Sequence, residues 1–144
     1  MSDAIRPSLV IDTNAVLDWL LFADPRAAPL SAAVTSGRVR WIATRAMREE
    51  LERVLGRGIA SRPDSATPTI LAAFDRWAAS ADPAPGPSLP SLRCTDADDQ
   101  KFIDLAIHAG AAALVSRDRA VLKLARHAAT HGLRIVVPER WLVD

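Results

Sequence analysis

The chain has 144 residues, 49% of them apolar, which is enough for one hydrophobic core and too little for two, so we expect a single domain over residues 1–144. Its one cysteine excludes an intrachain disulfide and a zinc site built from several thiolates. No apolar run approaches the roughly 20 residues that span a bilayer, and no signal-peptide pattern opens the chain. We therefore expect a cytoplasmic protein without a membrane partner. The formal charge of +1 neither indicates nor excludes a nucleic-acid partner.

The first half of the chain has the pattern of two strand-helix units followed by a third helix. The predicted elements are strands at Ser8–Ile11 and 39–43 and helices at 13–22, 45–55 and 66–80. Thr44 has the residue type of a helix N-cap, and Gly56 and Gly58 follow as helix-ending residues.

The second half begins with a segment, 81–92, that is rich in proline and is predicted to be an extended surface loop. The elements predicted after it are helices at 97–109 and 119–130 and strands at 113–116 and 134–137. Short apolar strands that alternate with helices indicate a parallel sheet covered on both faces. We therefore expect an α/β sandwich around a central, mainly parallel sheet of four to five strands.

Two acids directly follow predicted strands. Asp12 comes after the first strand, and Asp118 comes shortly after the strand at 113–116. In open parallel sheets the ligand site lies outside the carboxyl ends of the strands, so both residues are candidates for a binding site. An aspartate between a strand and a helix is commonly an N-cap, and for either residue alone this role without any ligand is the more frequent one.

Helix geometry selects two further acids. A rotation of 100° per residue places Glu50 at the edge of the apolar stripe of its helix, while Glu49 and Glu52 point to solvent. By the same argument Asp99 lies on the inward stripe of the helix at 97–109. A buried carboxylate needs a partner, because its desolvation costs several kcal/mol unless it is paired, hydrogen-bonded or bound to a metal. An arginine beside Glu50, or a helix-capping role for Asp99, would also satisfy this requirement.

Together, the four acids predict a site for a hard cation. All four are expected at the same end of the sheet, and no cationic residue is evident among them. Their mutual repulsion would raise their pKa values, and Mg²⁺ or Mn²⁺ would relieve it. Such ions take oxygen ligands and retain water, which suits hydrolysis of a phosphodiester.

The segments that carry these acids resemble, in order, the signatures of PIN domains. They are 10–14 (Val-Ile-Asp-Thr-Asn), 50–55 (Glu-Leu-Glu-Arg-Val-Leu), 98–102 (Asp-Asp-Gln-Lys-Phe) and 114–118 (Leu-Val-Ser-Arg-Asp). The similarity extends over nearly the whole chain, from Leu9 to the closing segment 138–142. Within the family, the chain most resembles the toxin components of toxin-antitoxin systems.

This resemblance implies a PIN-like three-layer α/β/α sandwich with the activity of a metal-dependent endoribonuclease. The residues that it assigns to catalysis and to one or two Mg²⁺ or Mn²⁺ ions are Asp12, Glu50, Asp99 and Asp118. The supporting polar positions are Thr13, Asn14 and Ser116, with serine at 116 where threonine is more usual. Asp98 remains an additional candidate ligand. The partners implied are an RNA substrate and an antitoxin protein, in a bacterial cell.

Two surface features bear on partners. Arg117 and Arg119 flank Asp118 and could contact RNA phosphates, although solvated helix charges explain most such arginines. The helix at 13–22 is apolar on too many sides for a helix that lies on one surface. A second copy of the chain, as a homodimer, or an antitoxin peptide could cover it, or Trp19 and Phe22 could fill the core.

Two other classes of protein remain open. The first is a noncatalytic PIN-like module that binds RNA or protein, against which the four intact acids argue. The second is an aspartate-based phosphatase or phosphoreceiver, since both place acids at strand ends. Asn14 stands two residues after Asp12, where such phosphatases carry a second aspartate, and no lysine follows a late strand as in receivers.

Overall fold

The fold was analysed in a computed structural model, which describes residues 6–57, 66–86 and 92–141. The strands are β1 (Ser8–Ile11), β2 (Arg40–Ala43), β3 (Ala78–Ser80), β4 (Ala113–Val115) and β5 (Arg134–Val136). The helices are α1 (Thr13–Leu20), α2 (Ala28–Thr35), α3 (Arg45–Gly56), α4 (Ala66–Trp77), α5 (Gln100–His108), α6 (Arg119–Leu122) and α7 (Ala125–Ala129). Short 3-10 turns lie at Pro25–Ala27, Ala97–Asp99 and Pro138–Arg140.

The five strands form one sheet in the order β3-β2-β1-β4-β5, and every pair of neighbours is parallel. β1 and β4 lie inside the sheet and consist almost wholly of buried apolar residues, as expected for strands that are covered on both faces. Helices flank the sheet. The predicted α/β/α sandwich with a parallel central sheet is therefore confirmed, at the upper end of the expected number of strands.

Side chains at the strand ends start the helices that follow. The backbone N–H of Ala15 donates to Asp12 Oδ1 at 2.9 Å, and that of Ala120 donates to Asp118 Oδ1 at 2.8 Å. Thr44 accepts from the N–H of Met47 at 3.4 Å, so its predicted role as the N-cap of α3 is confirmed. Gly58, the second expected helix-ending residue, lies outside the described residues.

Four predicted helices differ from the structure in their bounds. The helix expected over 97–109 is a 3-10 turn at Ala97–Asp99 followed by α5, so Asp99 lies in the turn before the helix and not on its inward stripe. The helix expected over 66–80 ends at Trp77, because residues 78–80 form the edge strand β3 and pair with β2. The helix expected over 119–130 is two short helices, α6 and α7, and the helix expected over 13–22 ends at Leu20. Helix α2, at Ala28–Thr35, was not predicted.

Most of the apolar side chains of α1 pack inside the protein. Val16 and Leu17 are buried, and Trp19 packs against Trp41 with ring centroids 5.5 Å apart. Phe22, just beyond the helix, is the one large hydrophobic side chain exposed among the described residues, at 38%. The structure therefore favours core filling for Trp19 over the alternative of an interface.

A search of the described residues for a helix long and apolar enough to cross a bilayer found none.

Candidate functional site

The path of the chain through the sheet creates a crevice at β1 and β4. From β1 the chain moves outward to β2 and β3, and it then returns to β4 on the other side of β1. The strand order reverses there, and ligands of open α/β sheets bind outside the carboxyl ends of the strands at such a point. Asp12 and Asp118 both lie at this edge, and the N–H of Asp12 donates to Val115 O at 3.0 Å.

Ser116 joins these two aspartates. Its hydroxyl is fully buried, donates to Asp12 Oδ2 and accepts from the backbone N–H of Asp118 at 3.0 Å. One side chain thus orients the Asp12 carboxylate and holds the turn that presents Asp118.

Asp12 itself is 2% exposed. Burial raises its pKa to about 6, and the hydrogen bonds from Ser116 and Ala15 only partly offset this effect. The negative charges of Asp118 and Asp18 contribute to this raised value. A buried carboxylate of this kind is electrostatically unsatisfied near neutral pH.

Asp99 completes a group of carboxylates with Asp96 and Asp118. One carboxylate oxygen from each lies within 4.8 Å of the others. Burial raises the pKa of Asp99 to about 7, aided by a hydrogen bond to Asp118 that only the protonated form can donate, and by the charges of Asp118, Asp96 and Asp12. Asp99 Oδ2 is buried, and no described residue donates a hydrogen bond to it. The group therefore has an unpaired acceptor at its centre.

Asp96 was not expected in the site. Asp96 caps the turn Ala97–Asp99 by accepting from the N–H of Asp98 at 3.0 Å. Asp96 also lies close to Asp118, and this contact joins segments more than 20 residues apart in the sequence. The helical spacing that predicts an inward position for Asp99 gives no information about the contact between Asp96 and Asp118.

Glu50 is placed differently from the three grouped aspartates. Its Oε1 accepts from Lys101 Nζ and its Oε2 from the hydroxyl of Thr13, the residue after Asp12. The inward position predicted for Glu50 is confirmed, since its side chain is 18% exposed. The expectation that no cation lies among the four acids is wrong, because Lys101 extends from α5 and also donates to Asp98 O. In the sequence Lys101 stands about one helical turn after Asp98, but nothing in the sequence indicates its contact with Glu50 on α3.

The PIN domain family matches residues 8–120, which is most of the chain and includes every acid named above. The chain belongs to the PIN domain family. A comparison with curated proteins gave no significant match. Among solved structures, the fold is similar to a chain in the crystal structure of VapBC2 from Rickettsia felis bound to a DNA fragment from their promoter, with a TM-score of 0.61 and 14% identity over 89% of this chain and 96% of that one.

The remaining expected positions of this PIN domain lie around the carboxylates. Thr13 is buried, whereas Asn14 and Asp98 are exposed. Asp98 lies next to Asp99, but it does not belong to the group formed by Asp96, Asp99 and Asp118.

Of the two arginines expected to meet RNA, Arg117 is held by other partners. Its Nε donates to Asp18 at 2.8 Å and its Nη2 donates to Glu139 at 3.0 Å. The role predicted for Arg117 as a phosphate contact therefore loses support, because these carboxylates already neutralise its charge. Arg119 is exposed and has no ion pair with a described residue.

The donor set of the PIN domain fits a hard divalent cation. It offers only carboxylate oxygens at Asp96, Asp99 and Asp118, with Asp12 beside them. Mg²⁺ and Mn²⁺ prefer oxygen ligands, and a cation would satisfy the buried Oδ2 of Asp99 that lacks a donor. It would also remove the repulsion that raises the pKa values of Asp12 and Asp99.

Proposed function

We propose that this PIN-domain protein is a metal-dependent endoribonuclease that hydrolyses phosphodiester bonds of RNA. The observation that carries the proposal is the unpaired, buried Oδ2 of Asp99 within a group of carboxylates at the switch point of the sheet. Aspartates gathered without a cationic partner among the described residues, as at Asp12, Asp99 and Asp118, destabilise a fold, and divalent-cation chemistry is a physical reason to keep them together. We propose further that the chain from 1 to 144 acts as one PIN-like domain.

The residues proposed to hold Mg²⁺ or Mn²⁺ and to act in catalysis are Asp12, Glu50, Asp99 and Asp118, and the geometry adds Asp96. When bound, the cation would polarise the scissile phosphate and lower the pKa of a coordinated water. Glu50 can take part despite its two contacts, because each carboxylate oxygen has a second lone pair. Asp98 remains a candidate for an outer position.

The other polar residues are proposed to orient these carboxylates. Ser116 fixes the rotamer of Asp12, and Thr13 and Lys101 together fix that of Glu50. Since Asp12 and Ser116 are almost fully buried, the inner side of the site excludes water and strengthens the electrostatic interactions there. Asn14 is exposed at the start of α1, where it could contact substrate.

The biological role that we propose is that of the toxin in a bacterial toxin-antitoxin pair, with an antitoxin protein as partner and the cytoplasm as location. The similarity of the fold to a chain of the VapBC2 complex supports a partner of this kind. A homodimer has less support, since Trp19 packs internally.

The decisive test is cleavage of single-stranded RNA by the purified protein with Mg²⁺ or Mn²⁺ and with EDTA. We expect cleavage that requires the cation and that falls by at least about 100-fold in Asp12→Asn and Asp99→Asn. Asp82→Asn is the matched control, because Asp82 is exposed and is not one of the grouped carboxylates, and it should cleave like the wild type. RNA binding without cleavage under either cation would instead favour the noncatalytic module.

A further inference from the structure

A second feature with the chemistry of a binding site lies at the opposite end of the sheet. It is an open cleft of about 360 Å³ at the amino ends of β2 and β3, within the range of small-ligand pockets. We call it the arginine cleft, after the three arginines Arg6, Arg40 and Arg76 among its lining residues. They come from three separate parts of the chain: the segment before β1, the first residue of β2 and the end of α4.

The positive charge of the arginine cleft is not balanced by the described part of the protein. None of its described lining residues is an aspartate or a glutamate, and none of the three arginines forms an ion pair there. Arginines elsewhere do find carboxylates, as in the pairs of Arg48 with Asp75 and Arg117 with Asp18. Like charges gathered without a counterion repel one another, so an anion bound in the cleft would be stabilised.

Neutral groups hold two of these guanidinium groups in place. Arg6 Nη1 donates to Gly37 O at 3.2 Å, and Arg76 lies over the ring of Trp77 at 4.7 Å from the centroid. Gly37 adopts a φ of 81°, which a residue with a side chain rarely adopts, and this turn delivers its carbonyl to Arg6. The arginines are thus partly ordered without losing their charge, which lowers the entropy cost of binding an anion.

The proposed active site cannot by itself hold a polyanionic substrate firmly, because it consists of carboxylates. Of the basic residues beside these carboxylates, Arg117 is already neutralised by Asp18 and Glu139 and Lys101 is paired with Glu50, which leaves Arg119. An RNA strand must therefore obtain phosphate contacts from other parts of the surface. Guanidinium groups suit this task, since they bind phosphate oxygens in a bidentate manner.

We propose that the arginine cleft binds the phosphodiester backbone of the RNA substrate at a distance from the cleavage site. This proposal rests on the proposed ribonuclease function. The two sites lie at opposite ends of the sheet, separated by at least the length of β2, about 10 Å, so a strand that occupies both must extend beyond one nucleotide. The cleft consequently favours long single-stranded RNA over mononucleotides.

The test is the affinity for a labelled single-stranded RNA in EDTA, where no cleavage occurs, at several salt concentrations. The cleft variant is the triple substitution Arg6→Gln, Arg40→Gln and Arg76→Gln. The matched control is Arg45→Gln, Arg53→Gln and Arg57→Gln on α3, which removes the same charge from exposed positions. All six side chains are exposed, so we expect both variants to fold.

We expect the cleft variant to raise the Kd for RNA about tenfold or more at low salt, and the control to raise it much less. Loss of three phosphate contacts should also lower the slope of log K against log salt by about 2, at about 0.7 per contact on a single strand. Equal effects of the two triple variants, or none from the cleft variant, would overturn the proposal. Two further results would also overturn the proposal: the cleft binds inorganic phosphate but not RNA, or an acidic peptide displaces RNA from the cleft at equal concentration.

Cleavage of the same RNA with Mn²⁺ separates this proposal from the function on which it rests. A wild type that binds RNA through the cleft but cuts nothing would refute the nuclease function and leave the cleft in place. Normal cleavage with unchanged binding by the cleft variant would refute the cleft alone.

Discussion

The carboxyl group of Asp12 is buried beside Asp118 and close enough to Asp99 to raise the pKa of the latter. Folding therefore places carboxylates where burial and neighbouring negative charges destabilise their ionised form. The hydrogen bonds from Ser116 and Ala15 recover only part of this cost. In the absence of a cation, the site should make the protein less stable as its acids ionise.

The first prediction concerns pH. Burial raises the pKa of Asp12 from 3.8 to about 6, so between these values the folded state binds more protons than the unfolded state. The free energy of unfolding in EDTA should therefore fall as pH rises from about 4 to 7, by about 3 kcal/mol from Asp12 alone. Denaturant unfolding across this range measures it. Asp12→Asn should make the decline shallower, leaving the part that comes from Asp99, and Asp82→Asn should leave it unchanged. An equally steep decline in the two variants would contradict the account.

The second prediction concerns the cation itself. Mn²⁺ or Mg²⁺ at 100 times its Kd should stabilise the wild type by about 2.7 kcal/mol, because it binds only the folded site. In Asp12→Asn the increase in Tm should be much smaller, since one carboxylate is lost. Thermal unfolding with and without the cation, at fixed ionic strength, provides the measurement. Equal increases in the two proteins would place any bound ion elsewhere.

The sequence allowed a prediction of which acids face inward, but not of how they are grouped. Asp12 and Asp118 were recognisable because each follows an apolar run that can only be a buried strand, and Glu50 because of its angle on α3. Asp96 and Lys101 were missed, since their roles arise from contacts between distant segments. Helical periodicity predicts which way a side chain points from its own helix. It does not predict which residues of other elements lie beside that side chain.

At the scale of elements, α3 carries Glu50 towards α5, where Lys101 meets it. The start of this helix is set by Thr44, which is buried at the carboxyl end of β2. A correctly capped α3 thus links the sheet to the site.

The third prediction tests that cap. Thr44→Ala removes the acceptor for the N–H of Met47 and should lower the free energy of unfolding by about 1 kcal/mol. In a protein of this size that corresponds to a decrease in Tm of about 4 °C. Thr69→Ala, at an exposed position within α4, is the control and should leave Tm unchanged or slightly higher. A decrease of the same size in both variants would show that the cap has no special role.

The elements that escaped prediction share a physical cause. β3 is three residues long and directly continues α4, so its weak local preference is overridden by pairing with β2. α2 follows Pro25, contains Pro29 in its first turn and has little amphipathic pattern. The break between α6 and α7 has neither glycine nor proline to mark it. By contrast, β1, β2, β4 and β5 were predicted to within a residue, because buried parallel strands are continuous apolar runs.

At the scale of the whole molecule, the charges are separated along the strands. The carboxylates of the PIN-domain site lie at the carboxyl ends of β1 and β4, and the arginine cleft lies at the amino ends of β2 and β3. A net charge of +1 conceals this separation, which is why composition alone did not indicate a nucleic-acid partner. In our account, one end of the molecule cuts RNA and the other helps to retain it.

The central claim is that carboxylates from distant segments share one bound cation, and a crystal grown with Mn²⁺ tests it most directly. Anomalous scattering should show manganese in contact with Asp99 and Asp118, with Asp99 Oδ2 among its ligands. A crystal saturated with Mn²⁺ that shows no peak there, while Asp99 keeps its oxygen unpaired or turns it towards a basic side chain, would contradict the account.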